Sequence, residues 1–380
     1  MADPFQPAKV FNIFEPQFTT IVQYDDNIYT AESESQITSS FIYYFKPSIA
    51  FTVEDGANRY GGEYMLTSSF YSDNQGGNDN DDMTDHEFSL FTYNEFTAKH
   101  RTNLYLGYDK LHEKRGSGFT DGQPFRFSTP IEYDQKIAHF HYQFGGRNAK
   151  MRIGTGVSYY DKEYGSYTPF TRNNDFDKVT FSADSDYQIG DVTFLTLDIS
   201  SAEVSYKNIS SKDNRDKQVL VGLTWRGSSI INGRARIGYQ YKTFADDNRD
   251  DFHGNTVDLR INWLPRQRDT YSITLRRAAE DYGSIGEQTV DYINNFTGSL
   301  AWQHQWTSKF DSNIQIAYTN EDYIGVDRED KTASANAELI YGFSRWLNLA
   351  AGWEYLVSSS NQDTYDYDQN ILTLTLRAGL

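Results

Sequence analysis

DQNILTLTLRAGL, residues 368–380, closes the chain and poses the question of the fold. Leu372, Leu374, Leu376, Ala378 and Leu380 fall on one side; Thr373, Thr375, Arg377 and Gly379 fall on the other. This period-two alternation predicts a β-strand with one apolar face. Nothing later in the chain can pair its free edge, and an exposed apolar edge strand invites aggregation. Either an earlier strand returns to close it, or its apolar face is not meant for water.

Composition narrows the choice. The 380 residues include 29 Tyr, 25 Phe and 6 Trp but only 8 Pro and no Cys, so neither a disulfide nor a thiolate metal site can form. A net charge of -18 lacks the basic footprint that nucleic acid requires. Mean hydropathy is -0.69, and no apolar run approaches the roughly 20 residues of a spanning helix. A barrel strand shows only alternate residues to lipid, so such averages do not count against one. The start, MADPFQPAKVF, has neither basic nor apolar signal regions, and we read it as a secretory protein with its signal peptide removed.

Alternation and turn residues predict about eighteen strands, with sixteen as the alternative count. Their expected centres lie near residues 20, 45, 66, 91, 107, 139, 155, 181, 197, 222, 239, 260, 274, 299, 316, 338, 351 and 375. The third, fourth and ninth sort least cleanly by parity. Connections alternate between tight ones, such as DGAN at 55–58, PRQRD at 265–269 and SR at 344–345, and longer polar ones. The latter include KRGSGFTDGQP at 114–124, GVDRED at 325–330 and SSSNQDTYDYD at 358–368. Short periplasmic turns and long extracellular loops are the pattern of an outer-membrane β-barrel. The expected architecture is all-β: a transmembrane antiparallel up-and-down barrel over 16–380, after a periplasmic segment 1–15. The last strand would pair with the first and turn its leucines to lipid.

Tryptophan gives the barrel a direction. Trp225, Trp263, Trp302 and Trp306 lie where strands approach a short turn, and Trp346 opens the next strand after one. Indole rings gather at the lipid–water interface, so these five predict an interfacial girdle at one end. A soluble sandwich or propeller gives no reason for that one-sidedness.

The opposite parity carries charge. In the tenth to thirteenth strands Val219, Val221, Leu223, Ile237, Val257, Leu259, Ile261 and Ile273 fall on the lipid side. Arg226, Arg234, Arg236, Lys242, Arg260 and Arg276 fall on the other, predicting a basic wall along the lumen. Arrays of Arg and Lys select anions and phosphates in pores. The competing reading is pairing with lumen carboxylates such as Asp184, Asp186, Asp258, Glu338 and Glu354. Lys99, Arg101, Arg147, Arg266, Arg268 and Arg345 are expected to give the short-turn rim a basic character.

No catalytic constellation stands out among seven scattered histidines. His139 and His141 share a face and read as a lumen polar pair; His112, beside Asp109 and Glu113, reads as solvated rim. The acidic stretches DNQGGNDNDD, ADDNRDD and QDTYDYD could supply Ca²⁺ oxygens, yet none has the EF-hand spacing, so solvated loops are expected. No metal, cofactor or enzymatic step is implied.

The first third carries a resemblance. QYDDNIY at 23–29, FKPSIAF at 45–51, GGEYMLTSSFY at 61–71, MTDHEF at 83–88 and HEKRGSGF at 112–119 resemble the Putative beta-barrel porin 2 family of Gram-negative outer-membrane proteins. Asp25, Asp26 and Asn27 form its most recognisable motif. Leu380 stands where Phe is common at barrel C-termini. The resemblance implies passive conduction, most often export of an exopolysaccharide or capsular polymer through a bacterial outer-membrane channel. The alternative is a diffusion or uptake porin for small acidic solutes. Expected partners are outer-membrane lipid and lipopolysaccharide, with a polysaccharide and periplasmic export machinery on the export reading; the channel is expected to be monomeric.

Overall fold

A strand in hydrocarbon finds no water for its N–H and C=O groups, so strands cross a membrane only as a closed ring. The computed structural model, which describes residues 14–72, 80–282 and 290–379, is such a ring of eighteen strands. The first six are β1 (Phe14–Asp25), β2 (Ser40–Asp55), β3 (Asn58–Tyr71), β4 (Met83–Thr97), β5 (His100–Glu113) and β6 (Ile131–Phe144). Next come β7 (Met151–Tyr164), β8 (Phe176–Gln188), β9 (Thr193–Tyr206), β10 (Asn214–Trp225), β11 (Ile231–Phe244) and β12 (Phe252–Arg266). The last are β13 (Asp269–Glu280), β14 (Tyr292–Gln305), β15 (Phe310–Ile324), β16 (Arg328–Ser344), β17 (Leu347–Ser360) and β18 (Tyr367–Gly379). Each pairs antiparallel with its sequence neighbours, and β1 pairs with β18 from Gln17↔Gly379 to Asp25↔Ile371. All eighteen expected centres fall inside a strand. β1 begins two residues before the expected barrel start; the rest of the expected N-terminal segment, residues 1–13, and Leu380 lie outside the described residues. So do most of DNQGGNDNDD and the expected loop at 283–287.

Parity decides what each strand shows to lipid. Phe18, Val22, Leu372 and Leu374 at the closing seam are exposed outward, as are Val221, Ile237 and Trp263 on the facing wall. The strands that sorted poorly have apolar residues inside as well. Phe91 of β4 turns into the lumen over Gly61 of β3, where a Cβ would come within 2.3 Å of its ring. In β9, Phe194 is buried toward the lumen while Leu195, Leu197 and Ile199 face out.

At one end the turns are tight, as at 56–57, 267–268 and 345–346; at the other they are mostly long, as at 26–39 and 114–130. The expected long loop GVDRED is an exception. Arg328, Glu329 and Asp330 belong to β16, leaving a turn of 325–327. Arg328 and Asp330 alternate inward on that strand and bond to each other, Nε to Oδ2 at 2.8 Å. Their polarity therefore belongs to a lumen-facing strand end. The 17 residues of β16 exceed the roughly 9–11 needed to cross the hydrocarbon.

Five of the six Trp lie near the tight turns. Trp263 stacks toward Tyr271 at 5.4 Å between centroids, Tyr271 toward Trp302 at 6.5 Å, and Trp302 meets Trp306 edge-on at 6.4 Å. Trp302 Nε1 donates to Asp269 and Trp306 Nε1 to Ser312, so the polar edge of each indole is satisfied. Trp225 ends β10 and Trp346 sits in the turn 345–346, at the same end. Trp353, the sixth, sits mid-strand in β17. The basic rim is less uniform than expected. Arg101 is buried, donating to Gln143 Oε1 and the Gly145 carbonyl, and Arg147 pairs with Glu95 at 2.7 Å.

The Asp25-Asp26-Asn27 motif fastens the seam at the long-loop end. Asp26 accepts from the Asn370 backbone N–H at 2.7 Å and from its side-chain amide at 3.0 Å. Asp25 accepts twice from Gln369 Nε2, at 2.8 and 2.9 Å. Asn27 donates to the Asp368 carbonyl at 3.1 Å and to the Ala31 carbonyl at 2.9 Å. First and last strands are thus joined by side chains where the ladder ends. Hydrogen bonds to a charged group contribute about 1.5–3 kcal/mol each. Asp26→Ala is expected to lower the temperature at which the folded band converts to the unfolded band on unboiled gels, with Asp26→Asn recovering part of the loss. An unchanged transition in Asp26→Ala would exclude the clip. Parity has its own check: Ile237→Arg, at mid-strand and facing lipid, should cost about 2–4 kcal/mol of folding. Ser299→Arg, facing the lumen, should assemble normally.

Candidate functional site: a charged wall along the lumen

Even-numbered positions of β8–β13 point inward, and this gathers charges that are far apart in sequence. Arg226, Arg234, Arg236 and Arg260 line a cavity of about 610 Å³ near the tight-turn end, with His141, Asp184, Asp186 and Asp198. Arg226 pairs with Asp186. Arg234 Nη2 lies 2.9 Å from Asp258. Arg236 bridges Asp198, at 2.6 Å, and the same Asp258. Arg152 of β7 joins from the side, 3.7 Å from Asp186, and both Arg152 and Arg226 stand over the ring of Phe194 at 4.6 and 5.6 Å. Arg260 makes no ion pair among the described residues; in the ladder it lies opposite Arg234.

The balance of charge follows from those names. Five guanidinium groups (Arg152, Arg226, Arg234, Arg236 and Arg260) face four carboxylates (Asp184, Asp186, Asp198 and Asp258). One positive charge is left over even with His141 neutral. Pairing with lumen carboxylates and a basic surplus are therefore both present. Of the carboxylates expected as partners, Asp186 and Asp258 take Arg wall residues, and Asp184 takes His141 at 2.7 Å. Glu338 reaches Arg377 at 3.7 Å instead. Glycine makes room for the His141–Asp184 pair: a Cβ on Gly154 would lie 2.5 Å from His141 Nε2 and 2.3 Å from Asp184 Oδ1.

The six cations do not form one continuous ladder. Arg276 lines a separate cavity of about 350 Å³ with Lys178, Asp216 and Asp281, and pairs with Glu280. Lys242 is buried on Asp281 at 2.6 Å, toward the long-loop end of β11. Elsewhere around the ring Glu63, Glu87 and Asp109 face inward on β3–β5, so the lumen has an acidic arc as well as a basic one.

His139 and His141 do share the lumen face, with rings stacked 6.5 Å apart, and His139 bonds Ser158. His112 goes to Asp85 at 2.7 Å and Glu132 at 3.5 Å, not to Asp109 or Glu113. The acidic loops use their oxygens as turn caps: Asp246 accepts from Asn248, Asp251 from the Phe244 N–H and Asp366 from the Ser360 N–H. Arg152, Asp198 and Phe194 were missed in the sequence. Arg152 stood between Met151 and Ile153 on the polar parity of β7, a signal that parity alone could have flagged.

Comparisons place this geometry among known barrels. A BenF-like porin from Pseudomonas fluorescens Pf-5 superposes with a TM-score of 0.52 at 12% identity, over 97% of this chain and 98% of its own. OccK5 (OpdH) from Pseudomonas aeruginosa gives 0.51 at 13% identity, over 97% and 98%. OpdK from the same species, solved with vanillate, gives 0.50 at 10% identity, over 97% and 99%. At such identities the likeness is one of fold. No curated protein sequence matches the chain. Residues 11–380 match the sequence family Putative beta-barrel porin 2, so the chain belongs to that family and is a porin-like β-barrel channel of the bacterial outer membrane.

Proposed function

We propose that the channel admits small acidic solutes by passive diffusion, guided by the Arg wall of β10–β12. The observation that carries this reading is the surplus charge on the wall, with Arg260 unpaired among the described residues and open to the 610 Å³ cavity. An anion passing there meets guanidinium donors that fit a carboxylate in a fork. The cavity suits a small solute, and pockets for such ligands run to about 300–1,000 Å³. The barrels that superpose here include one solved with the aromatic carboxylate vanillate. Export of an exopolysaccharide, implied by the family resemblance, finds no support in the fold or its neighbours. A hydrated polymer would also have to pass a mouth crossed by loop 114–130.

The test is ion preference in planar bilayers under a salt gradient. Wild type should prefer anions. An ion about 4 Å from one charge in water feels about 1 kcal/mol, so Arg234→Glu with Arg260→Glu should shift the preference several-fold toward cations. The shift should shrink at high salt, because the screening length falls from about 10 Å at 0.1 M to about 3 Å at 1 M. A cation-preferring wild type, or a reversal potential unmoved by the double variant, would overturn the reading.

A further inference from the structure

Loop 114–130 crosses the long-loop mouth, and its two sides are held differently. Its root is fixed over the β4–β7 wall. There Arg115 is buried on Asp81, with Nε–Oδ1 at 2.6 Å and Nη2–Oδ2 at 2.7 Å. Phe119 and Phe127 are packed with Ile131 and Tyr164. The turns between need glycine: Gly116, Gly118 and Gly122 all sit at positive φ. At the far wall the tip presents one carboxylate. Asp121 Oδ2 accepts from Arg328 Nη2 at 2.5 Å. Beside it Gly122 lies flat on Tyr365, where a Cβ would come within 2.5 Å of the ring.

The receiving site is built without the loop. The Arg328 guanidinium stands over Tyr365 at 3.2 Å and Tyr323 at 4.1 Å from the ring centroids. Its Nε donates to Asp330, and Tyr282 Oη lies 3.5 Å from Nη1. Glu321 faces Asp330 across the β15–β16 ladder. A guanidinium held against two phenol rings with Nη2 turned to a carboxylate is a receptor for a planar carboxylate. Asp121 already fills the place such a group would take. Replacing Asp121 by a free carboxylate leaves the charge of the site unchanged, so Asp330 and Glu321 oppose the exchange no more than they oppose the closed state.

We propose that Arg328, with Tyr323 and Tyr365, is a carboxylate-binding site at the channel mouth, and that Asp121 is its built-in competitor, released when solute binds. The ligand class rests on the uptake reading above; the latch between Asp121 and Arg328 does not. Occupied by Asp121, the site holds the loop across the mouth. Occupied by solute, it frees the tip, and the loop swings on its Arg115 root.

The absence of native Cys makes the test clean. Asp121→Cys with Arg328→Cys, joined by a short bifunctional thiol reagent, is studied in planar bilayers beside each single variant treated alike. Joining should lower conductance several-fold, and the single variants should not respond. Asp121→Asn, which keeps the shape of the tip, should lengthen open times by itself. Benzoate should lengthen open times in wild type and change nothing in Asp121→Asn or Arg328→Gln. A joined channel that conducts like its singles overturns the latch. Benzoate without effect on wild type, or acting equally on all three, overturns the binding site. Neither result touches the reversal potentials set by Arg234 and Arg260, so a failure here is distinct from a failure of the uptake reading.

Discussion

The pairing of β1 with β18 is the constraint on which everything else in this molecule depends. Without it two strand edges would lie unpaired in lipid, each exposed amide costing several kcal/mol. With it every strand has two neighbours, and the choice between lipid and lumen reduces to whether a residue is odd or even within its strand. The Asp25-Asp26-Asn27 motif acts at this point. Its carboxylates and amide bind Asp368, Gln369 and Asn370 across the seam, where twist and loop departure would otherwise fray the ladder.

Closure also explains how an acidic chain acquires a basic wall. A ring turns alternate residues of neighbouring strands toward one water-filled space, so Arg152, Arg226, Arg236 and Arg260 from four stretches of sequence become neighbours. Carboxylates arrive by the same geometry, and most guanidinium groups are paired. What remains on the wall is a surplus of one positive charge facing the lumen. The mouth applies the same chemistry in another place: one guanidinium, Arg328, contacts a carboxylate carried by a loop rooted on the far side of the barrel.

Features governed by period two were legible in the sequence. All eighteen strand centres, the outward leucines of β18 and the placing of five Trp near the tight turns needed only parity and turn residues. Two kinds of feature were not. Where the lumen takes aromatic residues, as with Phe91 over Gly61 and Phe194 between Arg152 and Arg226, parity loses its contrast and the strand reads as weak. Pairings between distant strands leave no local trace. Nothing near Asp121 points to Arg328, and Arg328 itself read as loop because a polar strand end projecting past the membrane looks like one. Arg234 and Arg236 lie on the polar parity of β11, yet their sharing of Asp258 depends on the ladder register between β11 and β12.

Alternation along the wall decides which residues meet the lumen, and single cysteines on β12 measure it directly. Residues 257–262 are replaced one at a time, and the open channel is treated with a charged, water-soluble thiol reagent while current is recorded. Cysteines at 258, 260 and 262 should react and change the current. Cysteines at 257, 259 and 261 should be silent to that reagent and react with a lipid-soluble one. Reaction at the odd positions only, or at all six alike, would contradict the assignment of the lumen and with it the charged wall.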